Sequence, residues 1–293
     1  MQVSGMSVKK SGEFRIVLLF RCLFLAMIFV LGAFLDVSGQ GNLMIYPRRV
    51  VFEGSAKSQE ITLANTGNDT AKYVVSIVQM RMKEDGSYQD ITVPDSGQLF
   101  ADKYLRFYPR TVTILPKKSQ IVKMQFVKSA NMLPAEYRSH IYFRAIPKSK
   151  PLGEKEVAKD STPVSAKLTP VFGITIPVII RVGESTAQVK LTDMLVEKVK
   201  DTVSRFKVTF NRSGNFSVYG DLTVTYITPL GKETKVASVK GIGVYTPNLV
   251  RRFQCNLDNI PGIDYKTGKL HVVFSTIVDT KPQRLAEAEF PLQ

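Results

Sequence analysis

The sequence predicts an all-β protein of two β-sandwich domains behind an N-terminal leader. Three observations carry this. Short runs of β-branched and aromatic residues recur from Leu43 onward, separated by Gly, Asn, Asp and Pro. One run, Val164 to Val182, keeps a period of two over an unusual length. Few windows show helical periodicity, so a pleated, half-buried surface is the better fit.

The first forty residues read as an address. Lys9, Lys10, Arg15 and Arg21 form a basic lead, Cys22 to Leu35 follows without a charge, and Asp36-Val37-Ser38-Gly39-Gln40 turns polar and small. That is the order of a secretory signal peptide. Cleavage after Gly39 or Gln40 is expected, giving an exported, periplasmic protein. The alternative is an uncleaved signal that anchors the chain, since Ile16 to Leu35 is nearly long enough to span a bilayer. Cys22 follows Arg21 and not a small residue, which argues against a lipid-bearing cysteine. No later stretch approaches the length of a spanning helix.

The strands of residues 41–182 are expected at Leu43 to Phe52, Glu60 to Ala64, Lys72 to Met82, Tyr104 to Leu115, Gln120 to Val127 and Ser139 to Ile146. Asn65-Thr66-Gly67-Asn68-Asp69, Asp85-Gly86 and Pro116-Lys117-Lys118 supply the turns. Residues 148–163 are charged, with Pro and Gly, and read as a long loop. The segment 164–182 then alternates. Val164, Ala166, Leu168, Pro170, Phe172, Ile174, Ile176, Val178 and Ile180 share one face. Pro170 and Pro177 cannot donate a ladder hydrogen bond and place part of this strand at a sheet edge. Gly183-Glu184-Ser185 is the expected joint. Residues 183–293 repeat the style, with runs at Gln188 to Val196, Arg205 to Phe210, Ser217 to Tyr226, Lys235 to Val239, Leu249 to Leu257, Lys269 to Phe274 and Arg284 to Phe290. About seven strands per half argue for two sandwiches of immunoglobulin-like type.

Composition excludes several classes. The 293 residues hold two histidines, two cysteines and no tryptophan. A multi-histidine metal site is excluded, and His140 and His271 sit in strand patterns without catalytic context. Removal of the leader would take Cys22 and leave Cys255 as a small hydrophobe with no disulfide partner. No nucleophile elbow, phosphate-binding Gly loop or zinc spacing occurs, so neither an enzyme nor a cofactor is expected. Lys and Arg number 40 against 25 Asp and Glu, a net charge of +15. Without residues 1–40 the counts are 36 and 23, or +13. No aromatic-basic block accompanies that charge, and export argues against nucleic acid.

Ordered blocks in residues 43–182 resemble the PapD-like periplasmic chaperones of pilus and fimbrial assembly. They are Arg49 to Ser58, Ile61-Thr62-Leu63-Ala64-Asn65, Leu105-Arg106-Phe107-Tyr108-Pro109 with Ile114-Leu115-Pro116, and Leu133-Pro134-Ala135-Glu136-Tyr137-Arg138-Ser139 with Tyr142 to Pro147. The second half is similar in expected fold, position and size.

The resemblance implies donor-strand complementation. A pilin-like, incomplete immunoglobulin-like subunit would receive the chaperone's edge strand, with main-chain hydrogen bonds for affinity and alternate side chains for fit. The residues matching the donated stretch are Val164, Ala166, Leu168, Pro170 and Phe172; the alternative for them is the domain's own core. Ile174, Ile176, Val178 and Ile180 are assigned to that core. Arg49 matches an anchor for the subunit's terminal carboxylate, the alternative being a structurally paired arginine. Arg181 matches a residue that orients the two domains. Two positions depart from the family: its second basic anchor falls on Pro177, and an acidic position reads Arg138, with Glu136 two residues away. The partners implied are secreted subunits, an outer-membrane usher and, at a free edge, a second copy of the chain. No small-molecule substrate is implied. The other reading is a non-catalytic structural or adhesion protein of the cell envelope that keeps the fold without chaperone activity.

Overall fold

Alternation of buried and exposed residues sets the architecture strand by strand. A computed structural model describes residues 42–147, 170–199, 203–278 and 280–292. The leader, the loop expected over 148–163, and Val164, Ala166 and Leu168 lie outside the described residues. The described residues from Leu43 onward belong to one compact unit. Among the described residues no helix is long and apolar enough to cross a membrane.

The strands are β1 (Leu43–Tyr46), β2 (Val50–Phe52), β3 (Ser58–Asn65), β4 (Ala71–Val78), β5 (Met80–Met82), β6 (Tyr88–Asp90), β7 (Leu105–Tyr108), β8 (Thr111–Ile114), β9 (Ser119–Phe126), β10 (Glu136–Ala145) and β11 (Gly173–Arg181). They continue as β12 (Gln188–Val199), β13 (Val203–Ser213), β14 (Val218–Ile227), β15 (Glu233–Val244), β16 (Val250–Asn256), β17 (Lys269–Val278) and β18 (Lys281–Pro291). One turn of 3-10 helix, Asp102–Tyr104, precedes β7.

Two sheets, ordered β1-β3-β9-β7 and β2-β11-β10-β4-β8, face each other. Ile61 and Leu63 of β3 and Val122 and Met124 of β9 meet Val75, Val112, Ile141, Phe143 and Val178 from the opposite sheet in one core. The second pair of sheets, β12-β13-β16 and β15-β14-β17-β18, encloses Phe206, Val208, Phe210, Val224, Val236, Val272 and Phe274. The Phe210 and Phe274 rings pack edge-on at 5.0 Å. The chain is thus two β-sandwiches, as the alternation predicts.

The structure corrects several expected elements. Leu43 to Phe52 is two strands in different sheets: β1 pairs antiparallel with β3, and β2 pairs parallel with β11. Pro47, which has no N–H, follows β1 directly and ends its ladder. Tyr104 to Leu115 is likewise split at Pro109 and Arg110 into β7 and β8 of opposite sheets. Lys72 to Met82 divides into β4 and β5, and β5 forms a small hairpin with β6 around the expected turn at Asp85-Gly86, β6 itself not having been expected. In the second half the strand expected at Arg205 to Phe210 is longer, because β13 runs to Ser213.

Asn65 shows how a turn is closed. Its side-chain amide donates to the Asp69 carbonyl at 2.7 Å and the Ile114 carbonyl at 3.1 Å, while its Oδ1 accepts from Gly67 N–H at 2.9 Å. The residue is buried, so truncation leaves backbone groups unpaired. Asn65→Ala is expected to lower the unfolding free energy by about 1–3 kcal/mol in urea titration, with no change in far-ultraviolet dichroism.

Candidate functional site

The outer edge of β11 is the first part of the site. Ile176, Val178 and Ile180 point into the core, and Ile174, Phe172 and Pro170 continue the same face. Exposure grows along that row, from 4% at Ile176 to 38% at Ile174 and 50% at Phe172. Ile174, assigned to the core from sequence, therefore belongs to the exposed part.

One long side of β11 pairs with β10 over its whole length, from Gly173 opposite Arg144 to Arg181 opposite Glu136. The other side meets β2 at Val178, Ile179 and Ile180 alone. Ala145 N–H donates to the Phe172 carbonyl at 2.9 Å. Because antiparallel hydrogen bonding alternates, residues 173, 175 and 177 turn their backbone groups away from β10. Among the described strands none pairs with that stretch. Pro177 occupies one of these outward positions, so its missing N–H costs the β10 ladder nothing. At Gly173 a Cβ would lie 2.2 Å from the Tyr142 ring, so a larger residue there displaces that ring.

Arg49 stands where β2 begins. Extending the parallel register by one residue puts it level with Pro177. On the opposite side of Pro177 lies His140, and Arg138 lies opposite Ile179. Period two places Arg49, His140 and Arg138 on the face of this sheet that turns away from its core. Residues of the second half cover that face. The Arg49 guanidinium sits 4.8 Å over the Tyr219 ring, and the Arg138 guanidinium 4.9 Å over Tyr245. Arg138 donates to the Thr246 carbonyl at 3.0 Å. The Tyr88 ring of β6 meets His140 edge-on at 5.3 Å. Met82, Ile179 and Tyr245 form a small apolar cluster beside them.

The polar centre of this face is Glu136. Its carboxylate has no exposed surface and accepts from Arg181 Nε at 3.1 Å, the Ser217 hydroxyl at 2.7 Å, Ser217 N–H at 3.0 Å and the Thr246 hydroxyl at 3.1 Å. Arg181 also reaches Glu53 at 3.2 Å and the Ser217 carbonyl at 2.8 Å, and stacks 5.3 Å over Phe216. Arg212 of β13 completes the frame by donating to the carbonyls of Asn248, Gly214 and Phe216. The β5–β6 hairpin is tied down as well, with Asn248 donating to the Met82 carbonyl at 2.7 Å.

Several donors on this face lack an acceptor among the described residues: Nε and Nη2 of Arg49, Nε and Nη1 of Arg138, and Nε of Arg251. Neither ring nitrogen of His140 has a partner. Burial lowers the pKa of Arg49, Arg138 and Arg251 from the ordinary arginine value and raises that of Tyr245. Burial, reinforced by the Arg138 charge, pushes the His140 pKa down to about 3, so the ring is neutral. Burial and Asp258 push the Cys255 thiol up to about 11, an unreactive thiol packed against the second core. Among the described residues no group of His, Cys, Asp and Glu could hold a metal ion.

Sequence reasoning singled out Arg49, Arg181, Pro170 and Phe172, and the structure places them along β11 and the start of β2. It treated Arg138 as a departure and His140 as structural, and passed over Tyr88, Tyr219, Tyr245 and Arg251. The available signal was β10 itself, where Glu136, Arg138 and His140 alternate with Tyr137, Ser139 and Ile141 in a strand buried on both faces.

Two predictions follow from this chemistry. Glu136→Ala leaves Arg181 half-paired at a buried position and is expected to cost about 3–5 kcal/mol in denaturant unfolding. His140 binds a proton readily when unfolded but not when folded, so stability must fall as pH drops below its unfolded pKa. Between pH 7 and pH 5 the His140 contribution falls by about 2 kcal/mol. Urea unfolding of His140→Gln should lack that part of the decline.

No family model matches the sequence, and no curated protein matches it either. Solved structures do. The YadV chaperone is 15% identical with a TM-score of 0.40, and the match covers 86% of this chain and 100% of that one. The CupB2 chaperone of Pseudomonas aeruginosa is 14% identical with a TM-score of 0.41, covering 85% and 100%. The E. coli chaperone DraB is 14% identical with a TM-score of 0.38, covering 86% and 96%. Each of these matches is to a chaperone and spans most of this chain.

Proposed function

We propose that this protein binds an incomplete immunoglobulin-like subunit of a pilus or fimbria by donor-strand complementation. The observation that carries the reading is the β11 edge, where the outward backbone groups of residues 173 and 175 lie beside the exposed apolar side chains of Phe172 and Ile174. In sequence the row continues through Pro170, Leu168, Ala166 and Val164. Outward N–H and carbonyl groups supply main-chain hydrogen bonds, and the alternate side chains fill the subunit's open core. Leaving such an edge bare invites association, so an occupant is expected on physical grounds.

The position of β2 supports a direction for that occupant. β2 runs parallel to β11 and takes up its edge at Val178. A subunit strand lying in line with β2, parallel to β11, would end at Arg49. The Arg49 guanidinium presents free N–H groups there to the terminal carboxylate, a charge-assisted pair with planar geometry. Arg181, held between Glu136 and Ser217, fixes the angle at which the second sandwich meets this edge. The leader carries the chain to the periplasm, where it hands its subunit to an outer-membrane usher. A second copy on the same edge is the resting partner.

The test is co-purification from the native host, with mass spectrometry of what accompanies the protein. Wild type is expected to carry a small secreted β-rich subunit one strand short of a sandwich. The double variant Leu168→Glu, Phe172→Glu should lose it while keeping its own unfolding midpoint within about 2 °C, a Phe172 side chain half exposed to solvent adding little to the core. A folded wild type with no such subunit, or with the same companions as the variant, would favour a structural role in the envelope.

A further inference from the structure

We propose that the outer face of the β1-β3-β9-β7 sheet docks on an anionic phospholipid bilayer. This face belongs to the sheet opposite β11, so the inference stands apart from the function proposed above.

Period two separates the two faces of this sheet. Ile45, Ile61, Leu63, Leu105, Val122 and Met124 turn to the core. Met44 and Tyr46 of β1, Ile121 and Lys123 of β9, and Arg106 and Tyr108 of β7 therefore turn to solvent. The register brings them together. Tyr46 is opposite Thr62 and Thr62 is opposite Ile121, so one row crosses three strands. Met44, Ala64 and Ser119 form the neighbouring row, and Tyr108 lies beside Lys123. Tyr46 is 74% exposed, Tyr108 78%, Met44 59% and Ile121 45%. Single exposed apolar residues are ordinary, but four on one sheet face make a patch.

The charge around that patch is mostly of one sign. Lys103, Arg106, Lys117, Lys118 and Lys123 are exposed on the face or its rim. Of the acids there, Glu60 is 3.5 Å from Lys123, and Asp102 stands in the turn before β7. Where β9 begins, Lys117 and Lys118 join Ala64, Asn65, Thr66 and Ser119 in lining an open depression of about 430 Å³. Two ammonium groups beside hydroxyl side chains suit the phosphate of a lipid headgroup. Met44 stands opposite Ala64, so an apolar side chain borders those lysines.

Cations around tyrosine and aliphatic side chains are the chemistry of a membrane interface. The cations attract anionic headgroups, while a tyrosine sits at headgroup level with its ring in the apolar layer and its hydroxyl in water. An acidic protein would meet the same charge, and the chain ahead of β1 favours the bilayer over it. Cys22 to Leu35 is apolar and uncharged, and only residues 36–42 separate it from β1. Fully extended, those seven residues reach about 25 Å at most. A leader held by a membrane during export keeps this face within that reach, and Met44 and Tyr46 are the first outward side chains of the fold.

The experiment uses residues 41–293, which contain the compact unit beginning at Leu43. The chain has no tryptophan, so Tyr46→Trp supplies a single emission reporter on the face. Leu230→Trp, at a side chain 98% exposed on the second sandwich, supplies the control. The probes are vesicles of phosphatidylglycerol mixed with phosphatidylcholine, and vesicles of phosphatidylcholine alone. Anionic vesicles are expected to shift the Tyr46→Trp emission to the blue along a saturating curve, and neutral ones to leave it unchanged. The Leu230→Trp emission should not move with either. Adding Lys117→Gln and Lys118→Gln to Tyr46→Trp should weaken binding about 25-fold, or about fivefold per cation. Lys235→Gln with Lys240→Gln removes the same charge from β15 and should weaken it less than about twofold. No shift with anionic vesicles, an equal shift with neutral ones, or an equal loss from the two lysine pairs overturns the proposal. An equal shift at Leu230→Trp overturns the choice of face. A protein that ignores both vesicles, yet shifts its Tyr46→Trp emission with polyglutamate, assigns the face to an acidic protein and overturns the lipid.

Discussion

The buried carboxylate of Glu136 is the contact on which the arrangement of the first sandwich against the second depends. It lies on β10, in the first sandwich, and accepts two hydrogen bonds from Ser217 and one from Thr246, which belong to the second. Arg181 closes the charge balance from β11 and bonds Ser217 itself. A charge so deeply buried is tolerated only when its lone pairs are met, and here they are. The geometry is therefore specified by direction-sensitive bonds, where apolar contact alone would permit sliding.

Around that hub the same device is repeated three times. Arg49, Arg138 and Arg181 project from the first sandwich, and Tyr219, Tyr245 and Phe216 of the second lie beneath their guanidiniums. Each desolvated stack contributes on the order of 1–2 kcal/mol. Stacking also holds each guanidinium in a fixed plane. Arg181 spends its edge on Glu136 and Ser217. Arg138 spends Nη2 on the Thr246 carbonyl, and Nε and Nη2 of Arg49 have no acceptor among the described residues.

β10 makes the arrangement possible by being buried on both faces. Its odd positions, Tyr137, Ile141 and Phe143, build the first core. Its even positions, Glu136, Arg138 and His140, are buried against the second sandwich and the β5–β6 hairpin. β11 is different, because β2 covers only its last third. The same apolar face that fills a core at Ile176 and Val178 is open at Ile174 and Phe172. One strand is therefore part core and part exposed edge, and the boundary between the two falls at Pro177 and Arg49.

Much of this was legible from sequence by itself. Period-two alternation and turn residues such as Asn65 and Gly86 depend on neighbours a few positions away, so they determined the all-β class, most strands and the apolar row of β11. Tertiary structure alone decided which sheet each strand joins. β1 and β2 read as one run, yet they separate at Pro47 because their partners, β3 and β11, lie in opposite sheets. The fate of the charged residues was decided the same way. Arg138 and His140 are ordinary polar positions until the second sandwich and the β5–β6 hairpin cover them. Glu136 is an unremarked acid until Ser217 and Thr246 arrive from eighty or more residues away. Local patterns fix what a segment can pair with, whereas burial of charge depends on surfaces that meet only once the chain has folded.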